Sequence, residues 1–157
     1  DLIYDWGKDH FMISIPEDVR NFVNFQKLGY VATVSKDGTP NLSPKGTIAA
    51  IDESTLVFAD IRSPQTIENL KENPSIEINV VDAFQRLGYR FKGNGKIISE
   101  GQEFDKILEH YADAGIKSKI NAVVMIDVQS MSEVTSPSYD LGATKDELVD
   151  KWKKYYG

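Results

Sequence analysis

The chain of 157 residues carries 24 acidic and 18 basic side chains, a formal net charge of −6, and no cysteine. The missing cysteine excludes disulfides, thiolate catalysis and cysteine-based metal sites, and the acidic balance argues against a nucleic-acid binder, which must neutralise phosphates. A length near ~150 residues predicts one domain able to bury roughly 68–70% of its unfolded surface, and 41% hydrophobic with 10% aromatic residues is a globular composition.

In chain order, Ser14-Ile15-Pro16-Glu17 predicts a helix start, with the Ser14 hydroxyl accepting from the Glu17 N–H and Glu17 reaching back. Ile15, Val19, Phe22 and Val23 follow at helical spacing, and Gly29 is the expected stop. Residues 30–34 read as a strand, and Lys36-Asp37-Gly38-Thr39 as a tight turn using the positive φ that glycine allows. An extended run over 40–51 carries Pro44 and Gly46, the marks of a bent or edge strand. Asp52-Glu53-Ser54 turns the chain into a strand over 55–59. Ser63 as N-cap and Pro64 at the first helical position open a second helix, which Asn73-Pro74 ends.

Residues 76–81 alternate apolar and polar, as a half-buried strand does. Residues 89–92 and 95–99 form one long strand with a glycine bulge. A helix over 103–114 shows Phe104, Ile107, Leu108 and Tyr111 on its apolar side. A last strand covers 122–128 and runs on toward 134 before Ser136-Pro137-Ser138 breaks it, and Thr144 caps a final helix to about 155. Six strands in consecutive runs and four helices predict a mainly β (α+β) antiparallel sheet or barrel with flanking helices. The whole of 1–157 reads as a single domain, with a core of about 14–135 and a C-terminal helical extension of about 136–157.

The chemistry concentrates in Asp60-Ile61-Arg62-Ser63-Pro64-Gln65-Thr66, between a strand end and a helix start. A helix N-terminus exposes unpaired N–H groups and the positive end of the dipole, which together attract an anion. Arg62 adds a guanidinium suited to phosphate, and Ser63, Gln65 and Thr66 add further donors; an ordinary capped helix with a solvated Arg62 is the other reading. Asn41-Leu42-Ser43-Pro44-Lys45-Gly46-Thr47 lies one strand earlier. If the two strands pair as a hairpin, Lys45 comes near Arg62, and Gly46 leaves backbone bare for a flat ligand.

The order of residues 31–46, from Val31-Ala32-Thr33-Val34 through Asp37-Gly38 to Pro44-Lys45-Gly46, resembles the opening hairpin of the pyridoxamine-5′-phosphate-oxidase-like FMN-binding proteins. Leu56-Val57-Phe58-Ala59-Asp60, Arg62-Ser63 and Thr66 to Pro74 resemble that family's next strand and helix, and Gly88 to Gly93 with Glu100-Gly101 to Phe104 its following strand and helix. The resemblance covers roughly residues 14–128. It implies a six-stranded antiparallel split β-barrel, a homodimer, and FMN bound at the subunit interface.

By that resemblance Lys45, Gly46 and Thr47 would line the isoalloxazine, Ala59, Asp60 and Ile61 would edge it, and Arg62, Ser63, Gln65 and Thr66 would take the phosphate. Many relatives carry Lys where this chain has Gln65, which moves the burden of charge onto Arg62 and Lys45. Lys45 or its backbone neighbours would also favour a reduced, anionic ring from its pyrimidine edge. The implied activity is that of an FMN-dependent oxidoreductase of unknown substrate, a small molecule or nicotinamide donor being its partner, with no side chain named as catalytic. True pyridoxamine-phosphate oxidases end in an arginine-containing segment, whereas this chain has no arginine after Arg90, so the vitamin-B6 reaction is not assigned. A non-catalytic flavin-binding or electron-transfer module, a relative holding deazaflavin or heme in the same groove, and a barrel with an empty groove remain open.

Other signals read as structural. His10 and His110 have no ligand spacing behind them, and no metal is expected. Asp37, Asp52 and Glu53 are turn residues, Ser35, Ser43 and Ser63 have no histidine at a suggestive spacing, and Arg90 reads as a solvated strand arginine. Tyr139, Trp152, Tyr155 and Tyr156 read as packing of the C-terminal helix onto the barrel rather than as a wall over a partner's flavin. Lys151 to Lys154 read as a solvated face. No apolar run approaches the ~20 residues of a membrane span, and residues 1–6 lack a signal pattern. A cytoplasmic location with no membrane and no nucleic-acid partner is therefore the expectation. The chain begins at Asp1 rather than Met, so something ahead of it is expected to have been removed or left out.

Overall fold

The computed structural model describes residues 2–5 and 11–157. The elements in chain order are β1 (Leu2–Asp5), β2 (Phe11–Ile13), α1 (Glu17–Gln26), β3 (Gly29–Val34), β4 (Pro40–Lys45), β5 (Ala49–Ala50) and β6 (Thr55–Asp60). Then come α2 (Pro64–Glu72), β7 (Ser75–Asp82), β8 (Leu87–Ile98), α3 (Gln102–Asp113), β9 (Ala122–Thr135), a 3₁₀ turn (Pro137–Tyr139) and α4 (Lys145–Tyr156). Seven strands form one sheet in the order β4-β3-β7-β8-β9-β6-β5, every pair antiparallel; β1 and β2 pair with each other.

The connectivity explains why the sheet curls. β4 and β5 are its two opposite edges, yet only Gly46, Thr47 and Ile48 separate them in sequence. Three linking residues reach no more than roughly 14 Å, so the edges must come together and the sheet becomes a split barrel. The Ile48 N–H donates to the Lys27 carbonyl at 3.0 Å, which ties this seam to the end of α1.

The barrel has seven strands rather than six. The run over 40–51 breaks at the seam: Pro40–Lys45 pairs with β3, and only Ala49–Ala50 pairs with β6. The sequence gives no sign of that break beyond Gly46, because both halves are extended. Pro44 does sit on an edge strand, opposite Tyr30, where its missing N–H costs no ladder bond.

All six residues of β6 are buried. Leu56 and Phe58 join Ile78, Phe91 and Ile126 in the larger core, whereas Val57 and Ala59 pack with Phe104, Ile107 and Tyr111 of α3 in a second one. A strand covered on both faces reads as a continuous apolar run, as residues 55–59 do. The register of β8 and β9 shifts between Lys92 and Gly93, where Gln129 is the extra residue, so the bulge lies in β9 and not, as expected, in the glycine-containing β8. A Cβ at Gly93 would lie 2.0 Å from the Asp127 carbonyl oxygen, so the crossing of β8 over β9 requires glycine there.

Two predicted helix boundaries differ. Ser14 does not cap α1: the N-cap is Pro16, no side chain caps it, and Ile15 instead donates its N–H to Glu53 at 2.6 Å. That bond draws the segment onto the β5–β6 turn and away from the helix end. α1 ends at Gln26 with Lys27 at φ 61°, and Gly29 opens β3 rather than stopping the helix. Thr144 caps α4 as predicted, accepting from the Glu147 N–H at 3.2 Å.

Candidate functional site

The two segments singled out in the sequence meet at the barrel seam. β6 ends at Asp60, whose buried carboxylate accepts from the Ser63 N–H at 2.9 Å and turns the chain into α2. Ser63 occupies the N-cap position but caps nothing with its side chain. Its hydroxyl instead accepts from the Lys45 ammonium at 2.5 Å. Pro64 has no N–H, and the N–H groups of the following helical positions have no intrahelical acceptor by geometry. Burial pushes the Lys45 ammonium below its ordinary pKa, and the negative charge of Asp60 partly offsets this.

The contact does not arise from the expected hairpin. β4 pairs with β3 and not with β6; Lys45 reaches Ser63 because curling brings the β4 edge to the β6–α2 junction. Around that contact, the Ser43 and Thr66 hydroxyls lie 3.4 Å apart, and Thr66 is buried. Arg62 is exposed. Gln65 is placed differently from the expected phosphate donor: its Nε2 donates to Asn69 at 2.7 Å, and Asn69 in turn donates to the Thr33 hydroxyl at 3.0 Å. That chain of bonds draws the Gln65 amide along α2 toward β3.

The seam itself is pinned from two further sides. The Thr47 hydroxyl accepts from the Ala59 N–H at 2.9 Å, and the Thr47 carbonyl accepts from the Tyr111 hydroxyl at 2.7 Å. Burial holds the Tyr111 hydroxyl well above its ordinary pKa, so it is a neutral donor. Gly46 is exposed, and a Cβ placed on it would meet nothing within 4 Å. A cavity of about 310 Å³ opens beside it, with Lys27, Gly46, Thr47, His110, Tyr111 and Ala114 among its walls. Ile61 is half-buried, and its carbonyl accepts from Asn121 at 3.3 Å.

The structure therefore gathers Lys45, Asp60, Ser63 and Thr66 at one end and Gly46, Thr47 and Ala59 at the other. Tyr111 is the member that the sequence reading counted only as an apolar helix residue. The available signal was its hydroxyl on an otherwise apolar face, since a buried tyrosine needs a partner.

Residues set aside fall elsewhere. Arg90 pairs with Glu77 at 3.3 Å on exposed sheet surface. The Arg86 guanidinium lies 3.6 Å over the Trp152 ring and donates to the Tyr156 hydroxyl at 3.1 Å, while the Tyr139 hydroxyl donates to the Gln85 carbonyl at 2.5 Å. The C-terminal aromatics thus pack on the β7–β8 turn of their own chain. His110 packs edge-on against Tyr111; His10 lies outside the described residues. No helix among the described residues is long and apolar enough to cross a membrane.

Known proteins share the fold that carries these residues. An uncharacterized protein of Methanocaldococcus jannaschii is 29% identical over 123 residues, covering 75% of this chain and 80% of its own. The crystal structure of HupZ from Group A Streptococcus superposes with a TM-score of 0.70 at 32% identity, covering 78% of this chain and 95% of that one. An FMN-binding protein from Syntrophomonas wolfei superposes with a TM-score of 0.67 at 19% identity, covering 76% and 86%. Residues 15–134, from the strand-bound start of α1 to the end of β9, match the family description pyridoxamine 5′-phosphate oxidase, and the chain belongs to that family.

Proposed function

We propose that the chain is an FMN-binding oxidoreductase acting on a small-molecule substrate. The observation that carries this reading is the Lys45–Ser63 contact, which joins a cation to the open N-terminus of α2 at a barrel seam. The residues present fit a phosphorylated flat cofactor. Lys45, the exposed Arg62, the Ser63 and Thr66 hydroxyls and the first N–H groups of α2 form a donor-rich end for a phosphate. Next to Lys45, the bare backbone at Gly46 leaves room for a ring, with a cavity beside it for a substrate.

In this reading Arg62, Ser63 and Thr66 bind the phosphate with Lys45, whereas Gly46 and Thr47 line the isoalloxazine and Ala59, Asp60 and Ile61 edge it. Lys45 is turned toward Ser63, so its ammonium serves the phosphate end and not the pyrimidine edge. Gln65 contributes backbone N–H more than side chain, given its bond to Asn69. The bound flavin itself supplies hydride acceptance at its ring nitrogen; the protein binds it, orients it and keeps water from its covered face. The whole of 1–157 acts as one domain in this proposal, its core ending near 135.

A homodimer with the flavin at the subunit interface belongs to the same reading. Leu42 is 67% and Tyr30 45% exposed, and with Pro44 they share one face of the β3–β4 edge beside Lys45. An apolar patch next to a site invites a second copy. The fold shared with the FMN-binding protein of Syntrophomonas wolfei supports the choice of cofactor.

The test is titration of the purified protein with FMN, followed by absorbance and flavin fluorescence, with sedimentation to give the assembly. Saturation at one FMN per chain in a dimer, and bleaching of the flavin by NADH or NADPH with reoxidation by an acceptor, are the expected results. A flavin that binds but never turns over makes the protein a carrier. A protein that ignores FMN, or that is purified with a heme or deazaflavin spectrum, ends the proposal.

A further inference from the structure

We propose that Tyr111 is a positioning residue for the flavin ring, acting through the Thr47–Ile48 peptide. This inference rests on the FMN reading above and extends it to a helix that the sequence did not connect with the site.

The seam is a short bridge with few bonds of its own. Gly46, Thr47 and Ile48 lie between two sheet edges, so the regular ladder that fixes a strand is missing there. Three bonds from three different elements replace it. α1 holds the Ile48 N–H through the Lys27 carbonyl, β6 holds the Thr47 hydroxyl through the Ala59 N–H, and α3 holds the Thr47 carbonyl through the Tyr111 hydroxyl. The first and the third act on one peptide unit, because the Thr47 carbonyl and the Ile48 N–H share a plane, and the second acts on a side chain. The Tyr111 hydroxyl holds that plane at its carbonyl end, across from the Lys27 contact at its N–H end, so the two together fix its rotation.

Tyr111 is suited to the role. Its ring is buried with Phe104, Ile107 and Val123, so α3 places the hydroxyl with little freedom. The same ring walls the cavity beside Gly46. A flavin ring resting on Gly46–Thr47 would have its plane set by a hydroxyl it never touches.

The experiment compares FMN with riboflavin, which carries the same ring and no phosphate. Tyr111→Phe keeps the packed ring and removes the donor. The expected result is a loss of affinity by roughly three- to tenfold, equal for both flavins, together with a shift of the bound flavin's visible bands or reduction potential. Lys45→Ala, by contrast, is expected to weaken FMN and leave riboflavin nearly unchanged. Ile107→Val, on the same helix and in the same core, controls for general loosening and is expected to lower stability without altering the bound spectrum.

If Tyr111→Phe binds both flavins as the parent does, with the same spectrum, the positioning role is wrong while the FMN reading stands. If Ile107→Val reproduces the spectral change, Tyr111 is only a packing residue. If the parent protein binds neither flavin, the FMN reading fails and this inference goes with it.

Discussion

Lys45, on the β4 edge, and Ser63, at the N-cap of α2, are eighteen positions apart, yet the ammonium donates to the hydroxyl at 2.5 Å. The bond takes Ser63 away from capping α2 and leaves the first turn of that helix open. A capping side chain takes up one of the free N–H groups of a helix N-terminus and stands in front of the others. By occupying Ser63, Lys45 keeps those donors available and adds a positive charge beside them.

Lys45→Met is therefore expected to weaken FMN binding by about tenfold to a hundredfold, the range for loss of one charge-assisted bond of roughly 1.5–3 kcal/mol. Lys45→Arg should retain most of the affinity. Isothermal titration measures both, and unchanged binding in Lys45→Met would remove the residue from the site.

The same group predicts a pH dependence. Burial lowers the Lys45 pKa from its ordinary 10.5, so the ammonium is lost earlier on the alkaline side than a free lysine's would be. FMN affinity should fall as pH rises above neutrality toward 10.5, and the fall should vanish in Lys45→Met. The stability of the flavin-free protein should move the opposite way. The folded state releases this proton before the unfolded state does, so unfolding free energy rises with pH through that window.

Arg62 is exposed, and its side chain makes no hydrogen bond or ion pair among the described residues. Arg62→Ala should leave the melting temperature within about 1 °C, since such surface changes fall within roughly ±0.5 kcal/mol. FMN affinity should drop, and its dependence on salt should become shallower. Titrations at low and high ionic strength test both statements.

Two glycines separate fold from site. Gly46→Val adds a side chain where nothing lies within 4 Å, so folding should be nearly unaffected while FMN binding falls by more than about tenfold. Gly93→Ala would press a Cβ against the Asp127 carbonyl at 2.0 Å and should destabilise the protein by about 3 kcal/mol or more. Denaturation and flavin titration of both variants should show opposite patterns.

Arg86 adopts φ 54° and stacks on Trp152, and its Nε is buried with no hydrogen-bond partner among the described residues. Trp152→Ala is expected to cost about 1–2 kcal/mol through loss of the cation–π contact and of packing. It should also make the region of α4 more susceptible to proteolysis. An unchanged cleavage pattern would mean that α4 is held by other contacts.

Much of the architecture was legible locally. The Asp37-Gly38 turn, the helix opened by Ser63-Pro64 and the Thr144 cap all appear where their residue types predict. These features depend on neighbours one to four positions away. The misread points are those where a distant partner competes. Ser14 does not cap because Ile15 is claimed by Glu53, Gln65 is claimed by Asn69, and the run over 40–51 breaks where the sheet closes.

The site divides in the same way. That Arg62, Ser63 and Thr66 stand at a helix N-terminus follows from the sequence alone, as does the presence of a bare backbone at Gly46, because both are local consequences of residue type. That Lys45 faces Ser63 and that Tyr111 holds Thr47 was decided by the tertiary structure. Two sheet edges joined by three residues had to meet, and no local pattern records which side chains a curled sheet brings together.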